Sequence, residues 1–396
     1  MMILGFMANY QSLLASGNKR PGPRRSLRDS SWLAGLCDWT VFFTMCLICT
    51  AGLVTLWSAG FDADRGESAA MMGQGKSMIL GLIAFVICNS LNAQVWRKFS
   101  IPLFVLSMLL LAYILLNGVV VQGSRRWLDI GFFRMQPSEL SKLATIVLLA
   151  TYFSSDRCPR DGHSLLKMFG PLFLILLPTA LIVDQPDLGT AMCHVLVGCT
   201  MLLLAGIQCR VLLISGALGI LLLVPIWEFG LKDYQKLRVL TFIDPERDAL
   251  GSGYHAIQSK IAVGSGAIFG KGFMQGSQTQ LRFLPEQTTD FIFSVFSEEW
   301  GFVGTLGVLI CYVLLIRRLI QIASATNDRF SSYVCFGVAA LFFWHVFVNM
   351  GMVIGIVPVV GITLPLFSFG GSSVITLMAC LGIASSIGRK RYYFSS

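Results

Sequence analysis

The sequence predicts an all-α polytopic membrane protein of about ten transmembrane helices, with one large extracytoplasmic loop between the seventh and eighth. Three observations predict it. Of 396 residues, 55% are hydrophobic and only 13% charged, a balance unlike that of soluble domains. The apolar residues fall into successive runs near the ~20 residues needed to cross a hydrocarbon core. Lys and Arg concentrate on alternate connections, as the positive-inside rule requires, so the net charge of +9 follows membrane topology rather than marking a nucleic-acid surface.

In chain order, residues 1–37 read as a basic cytoplasmic tail suited to anionic lipid. The tail's apolar patch is short and precedes its charges, the reverse of a cleaved signal. The membrane domain, 38–391, carries apolar runs near Thr40 to Gly60, Met78 to Leu91, Ile101 to Val121, Ser138 to Phe153 and Leu165 to Val183. The remaining runs lie near Leu188 to Ile207, Val211 to Phe229, Phe291 to Ile316, Ser332 to Val357 and Ser372 to Ile387. An even number of helices puts both termini inside, and the acidic first outside loop, FDADRGES, agrees. In that topology no cysteine falls on the oxidising face, so a structural disulfide is not expected; Cys46 and Cys49 form a C-x-x-C inside an apolar helix, where packing explains them.

The large loop spans about 231–289 and includes GYHAIQSKIAVGSGAIFGKGF, in which Ile257 and Ile261 stand one helical turn apart beside polar neighbours. That pattern suits a helix lying at the membrane interface or on the protein surface. A second irregular stretch, GIVPVVGITLPLFSFGGSS, separates the last two helices and reads as a re-entrant cavity wall. Such backbone is tolerated at membrane depth only inside protein or against water.

Polar residues in membrane segments are the functional candidates, because burying them is costly. QGSRRWLDIGFFRMQPSELSK supplies Arg125, Arg126, Asp129, Arg134, Glu139 and Lys142. Its arginines oppose the positive-inside trend, and an anionic ligand or a neighbouring carboxylate would explain them. Glu139 and Lys142, three apart on one helix face, can pair to fix packing, or Lys142 can face an anionic ligand. In DQPDLGT, Asp187 is placed to cap a helix or to join the same site. In FLPEQTTDFIF, Asp290 can cap the eighth helix, but the phenylalanines beside it would raise its proton affinity, as suits a general base. Glu298 and Glu299, deeper in that helix, read as packing charges in need of partners.

These segments, with DYQKLRVLTFIDPERDALGSGYHAIQSKIAVGSG and GITLPLFSFGGSS, resemble the SEDS family of polytopic membrane proteins (shape, elongation, division and sporulation) over about Asp38 to Arg391. GKGFMQGSQTQLRFLPE resembles the rod-shape branch rather than the division branch. The resemblance implies a peptidoglycan glycosyltransferase that polymerises lipid II into β-1,4 glycan strands during cell elongation, inverting the sugar linkage and releasing undecaprenyl pyrophosphate. It implies a location in the bacterial cytoplasmic (inner) membrane with the active site on the extracytoplasmic face. It also implies a class B penicillin-binding protein transpeptidase as partner within the rod-elongation machinery.

The family's essential aspartate maps onto Asp290, and the acidic residues of its QPSE and QPDLG motifs map onto Glu139 and Asp187. The residue chemistry fits: Asp290 as base, with Arg125, Arg126 and Lys142 stabilising a pyrophosphate leaving group. No cofactor is demanded by the sequence; a divalent cation on the pyrophosphate stays open, and no ligand spacing calls for one. A lipid-linked sugar flippase would instead string polar groups through the whole bilayer, and a noncatalytic scaffold would not need Asp290.

Overall fold

The computed structural model describes residues 37–393 apart from 63–66, 122–123, 130, 132–133, 156–164, 207, 209–210, 212, 215–216, 218–220, 222–223, 231–232, 246–250, 282 and 285. The expected basic tail, but for Cys37, and 8 of the 19 residues of the expected seventh span lie outside the described residues. The chain opens with α1 (Trp39–Ala59), capped by the Asp38 side chain, then a short β1–β2 pair (Phe61–Asp62 and Glu67–Ser68) and α2 (Ala69–Ser90). Next come α3 (Ala93–Lys98), α4 (Ser100–Asn117) and an antiparallel ribbon of β3 (Val119–Val121), β4 (Ser124–Asp129) and β5 (Arg134–Met135). Helices α5 (Pro137–Ser155), α6 (Leu165–Asp184) and α7 (Leu188–Ala205) follow. The large loop folds into α8 (Asp233–Ile243), α9 (Ser252–Ser265) and α10 (Ser277–Gln280). Three long helices finish the chain: α11 (Ile292–Ala325), α12 (Arg329–Ile354) and α13 (Gly371–Tyr393).

Among the described residues, 8 helices are long and apolar enough to cross a membrane. Helix α5 joins the bundle without being one of them, because Ser138, Glu139, Ser141 and Lys142 dilute its apolar character. It is nonetheless a core helix, with every residue from Ser141 to Ala150 buried. The most enclosed spans are α12 and α13, 78% and 83% buried, whereas α2 and α4 are 28% buried and turn their leucines and isoleucines outward. Apolar side chains facing lipid lose nothing there, so tight packing rather than hydrophobic segregation selects the interior.

Three boundaries differ from expectation. Helix α2 starts at Ala69 rather than Met78, because Gln74 is fully buried and hydrogen-bonded within the bundle. Helix α4 ends at Asn117, where β-branched Val119–Val121 pair with β4 instead of continuing the helix. Helix α11 runs past Ile316 to Ala325, because Arg318 turns back to bind the buried Asp38 carboxylate at 2.7 Å. The helix expected at the membrane interface or on the protein surface is α9, and it packs onto α11 and α12 through Ser259 and Ala262 while Ile261 stays exposed. The stretch between α12 and α13 is irregular, with Val360, Ile362 and Leu364 to Ser368 buried and most of the rest half-buried. Its polar backbone is satisfied by side chains of the surrounding helices. Tyr312 donates to the Pro365 carbonyl (2.6 Å), Gln74 bridges the Ser368 carbonyl and the Gly370 amide, and Asn349 donates to Ile362 (2.6 Å).

Candidate active site

Asp290 sits in the turn that delivers the large loop into α11. The turn is fastened from three sides: Gln287 donates to the Ala59 carbonyl (2.7 Å), Phe369 donates its amide to Thr288 (2.9 Å), and Asn349 donates to the Asp290 carbonyl (3.0 Å). Phe291, which precedes α11, is packed into the core and stacks on His255 of α9. The N-cap of α11 is Phe291, with no side-chain cap bond, so the Asp290 carboxylate is not spent on the helix end. Burial, and then the neighbouring Glu286 carboxylate, push Asp290 up to about 6, against the opposing pull of Arg238 and Arg126.

Asp187 does cap its helix, accepting from the Thr190 amide at 3.2 Å, but its other oxygen accepts from Gln136 at 2.8 Å. Arg126 of β4 reaches the same turn, donating to the Gln185 and Pro186 carbonyls and standing 3.9 Å from Asp187. Neighbouring strand residues point to opposite faces, so Arg125 is exposed while Arg126 faces the turn. Arg134 stands 3.9 Å from Asp129 at the exposed end of the ribbon.

The irregular segment 359–363 gathers these parts. A Cβ at Gly189 would stand 2.6 Å from the Val360 carbonyl oxygen, so only glycine lets the α7 turn close on it. Gly361, at φ +77°, would bring a Cβ to 3.3 Å from the Asp290 carboxylate. Arg238 of α8 donates to the Val359 carbonyl at 3.4 Å, and Asn349 ties Ile362 to Asp290. Thr363 lies against His345 of α12. His345 shares a 3.0 Å contact with the Lys142 ammonium, which also donates to Glu139 at 2.8 Å. Lys142 and Glu139 are 2% and 5% exposed, so the pair forms a buried layer beneath the Asp290 site rather than part of its open surface.

The FtsW, RodA and SpoVE family model, described as "Cell cycle protein", matches residues 38–393. This chain belongs to that family. It is 42% identical over 357 residues to the peptidoglycan glycosyltransferase MrdB of Escherichia coli K12, covering 89% of this chain and 94% of MrdB. A chain from a solved peptidoglycan synthase complex, one that coordinates polymerization and crosslinking, superposes with TM-score 0.77 at 34% identity, covering 91% of this chain and 99% of its own length. The crystal structure of Thermus thermophilus RodA superposes with TM-score 0.67 at 30% identity, with the same two coverages.

In this family member the carboxylates below the turn bind the loop. Glu298, fully buried, accepts from the Lys271 ammonium (2.7 Å), the Gln278 amide (3.1 Å) and the Ser277 and Thr279 hydroxyls (both 3.2 Å). Glu299 accepts from Ser58 of α1 and the Met274 amide (3.2 Å). The two glutamates thus anchor the strap 271–280 that leads to Asp290. Sequence reasoning missed Arg238, Gln136, Asn349 and His345. Arg238 had a usable signal, a cation in an otherwise mixed amphipathic loop helix, but nothing local told it from Lys236. Among the described residues no three His, Cys, Asp or Glu side chains converge as a metal site would require, and the nine described cysteines are all free.

Proposed function

We propose that this protein polymerises lipid II at the extracytoplasmic end of its helix bundle, with Asp290 as the base. It is a peptidoglycan glycosyltransferase of cell-wall elongation, held in the membrane by its apolar helices. The observation that carries the mechanism is Asp290: a carboxylate released from helix capping, raised to about 6, and flanked by two arginines at the mouth of a membrane bundle.

Asp290 takes the proton of the acceptor sugar hydroxyl as that oxygen attacks the anomeric carbon of the donor. The bond from that carbon to the pyrophosphate oxygen breaks, the α-linkage becomes β, and undecaprenyl pyrophosphate leaves with the bonding electrons. A base with its proton affinity near 6 is mostly ionised at neutral pH yet strong enough to share a hydroxyl proton in the transition state. Arg126, braced by the Gln185 and Pro186 carbonyls, supplies fixed positive charge to the departing pyrophosphate. The buried Lys142 and Glu139 position the 359–363 segment through His345 rather than touching substrate. The lipid tails remain in the bilayer, with both termini of the chain on the opposite, cytoplasmic side. A class B penicillin-binding protein that cross-links the product is the partner; the synthase complex resembled by this chain supports that pairing.

The test is strand formation from purified lipid II with the partner present, comparing wild type with Asp290→Asn. The variant, folded and partner-bound, is expected to make no polymer. Equal polymerisation by both would remove Asp290 from the chemistry.

A further inference from the structure

Polymerisation joins two substrates that each carry a lipid-linked pyrophosphate, the growing strand and the incoming lipid II, so the site must hold two anionic groups around one base. Arg126 accounts for one. A second cationic surface lies in a crevice between α8, α9 and the end of α12, lined by Arg238, Thr241, Lys260, Gly355 and Val359. Among the described residues no carboxylate lines it. Among the described residues the one hydrogen bond of Arg238 is the long contact to Val359, leaving most of its five donors available. The Lys260 side chain lies across Gly355, the left-handed cap of α12, where the carbonyl end of the helix favours a cation. That explains Lys260 alone.

It does not explain Thr241, which is 3% exposed and whose hydroxyl has no hydrogen-bond partner among the described residues. An orphaned buried hydroxyl beside two cations is a cost unless an acceptor arrives there. The crevice has about 20 Å³ of room, enough for one oxygen-sized group.

We propose that this crevice binds a phosphate-class oxyanion, the pyrophosphate of the second lipid-linked substrate, with one oxygen seated between Arg238, Lys260 and Thr241 and the remainder at the mouth. The assignment rests on the polymerase reading, and it makes Arg238 the bridge between the second pyrophosphate and Asp290.

The test uses the full chain with its partner in nanodiscs of neutral lipid. Inorganic pyrophosphate binding is measured by calorimetry, and polymerisation rates are measured against lipid II concentration. Lys260→Gln and Arg238→Gln are expected to weaken pyrophosphate binding about tenfold each, as loss of one charge-assisted hydrogen bond implies. Thr241→Val, nearly isosteric, is expected to weaken it about threefold. Lys260→Gln, at an exposed position that does not threaten folding, is expected to raise KM for lipid II by a similar factor while kcat stays within about twofold.

Unchanged binding and unchanged KM in Lys260→Gln and Thr241→Val would overturn the proposal. A phosphate of the bilayer is the other source of the same chemistry. If KM holds in neutral discs but stimulation by phosphatidylglycerol disappears in the variants, the substrate assignment is overturned. Asp290→Asn is expected to bind pyrophosphate normally while making no polymer. Wild type that binds pyrophosphate through Lys260 yet never polymerises would sink the polymerase reading and leave the crevice as an oxyanion site.

Discussion

Replacing Gly361 with alanine separates the placement of Asp290 from the stability of the fold. Gly361 holds φ +77°, a region that costs an L-residue about 1 kcal/mol, and the new methyl would stand 3.3 Å from the Asp290 carboxylate oxygen. That spacing is a few tenths of an ångström too tight, so the carboxylate or the 359–363 segment must yield, and the methyl removes water from the carboxylate. Catalytic geometry is far less forgiving than packing, since a displacement near 1 Å costs about 100-fold. A shift of a few tenths therefore predicts a fall in kcat/KM of about 5- to 20-fold, and desolvation moves the acid limb of the rate profile to higher pH. The assay is lipid II polymerisation across pH, with thermal unfolding measured in parallel. Gly131→Ala is the control: its φ is +89° and a Cβ there meets none of the described residues within 4 Å, so it carries the strain without the contact. If both variants lose similar stability and Gly361→Ala keeps its rate and pH profile, the claim that this glycine makes room for a working Asp290 is refuted.

Three further outcomes follow from the same geometry. With Asp290 as the proposed base, which must be ionised to act, kcat/KM should be full above neutrality and fall about tenfold per pH unit well below 6, as a pH–rate series would record. Glu298→Gln removes the charge that holds Lys271 and the strap amides; a loss of about 2–3 kcal/mol is expected, and limited proteolysis should open the strap 271–280 before the helices. Lys142→Met alone strands Glu139 as a buried charge and should cost about 3–5 kcal/mol, whereas adding Glu139→Leu should restore much of the melting temperature, separating ion-pair energetics from any direct contact with substrate.

Much of the architecture was legible in the sequence because lipid imposes its length rule residue by residue. The Glu139 and Lys142 pairing could be read from spacing alone, as could the Asp187 cap, both being local to one helix. Where the reading slipped, a distant partner had rewritten the local cost. Gln74 looks like a loop residue until the re-entrant backbone is there to accept and donate, and Arg318 looks like the end of a helix until Asp38 neutralises it. Asp290 was legible only as a pair of alternatives, cap or base, because whether its carboxylate caps a helix depends on where α11 begins. Arg238 and Asn349 were invisible for a stronger reason: they act on Asp290 across many intervening residues, with no periodicity to betray them.

The segment 359–363 has no hydrogen-bond ladder of its own; its backbone is borrowed by Asn349, Arg238 and the α7 turn, each from a different part of the bundle. A helix in detergent keeps its internal bonds when neighbours drift apart, but a segment stitched only by neighbours does not. Preparations of this enzyme should therefore lose activity while circular dichroism still reports intact helices, and helical content is a poor guide to whether a purified sample is alive.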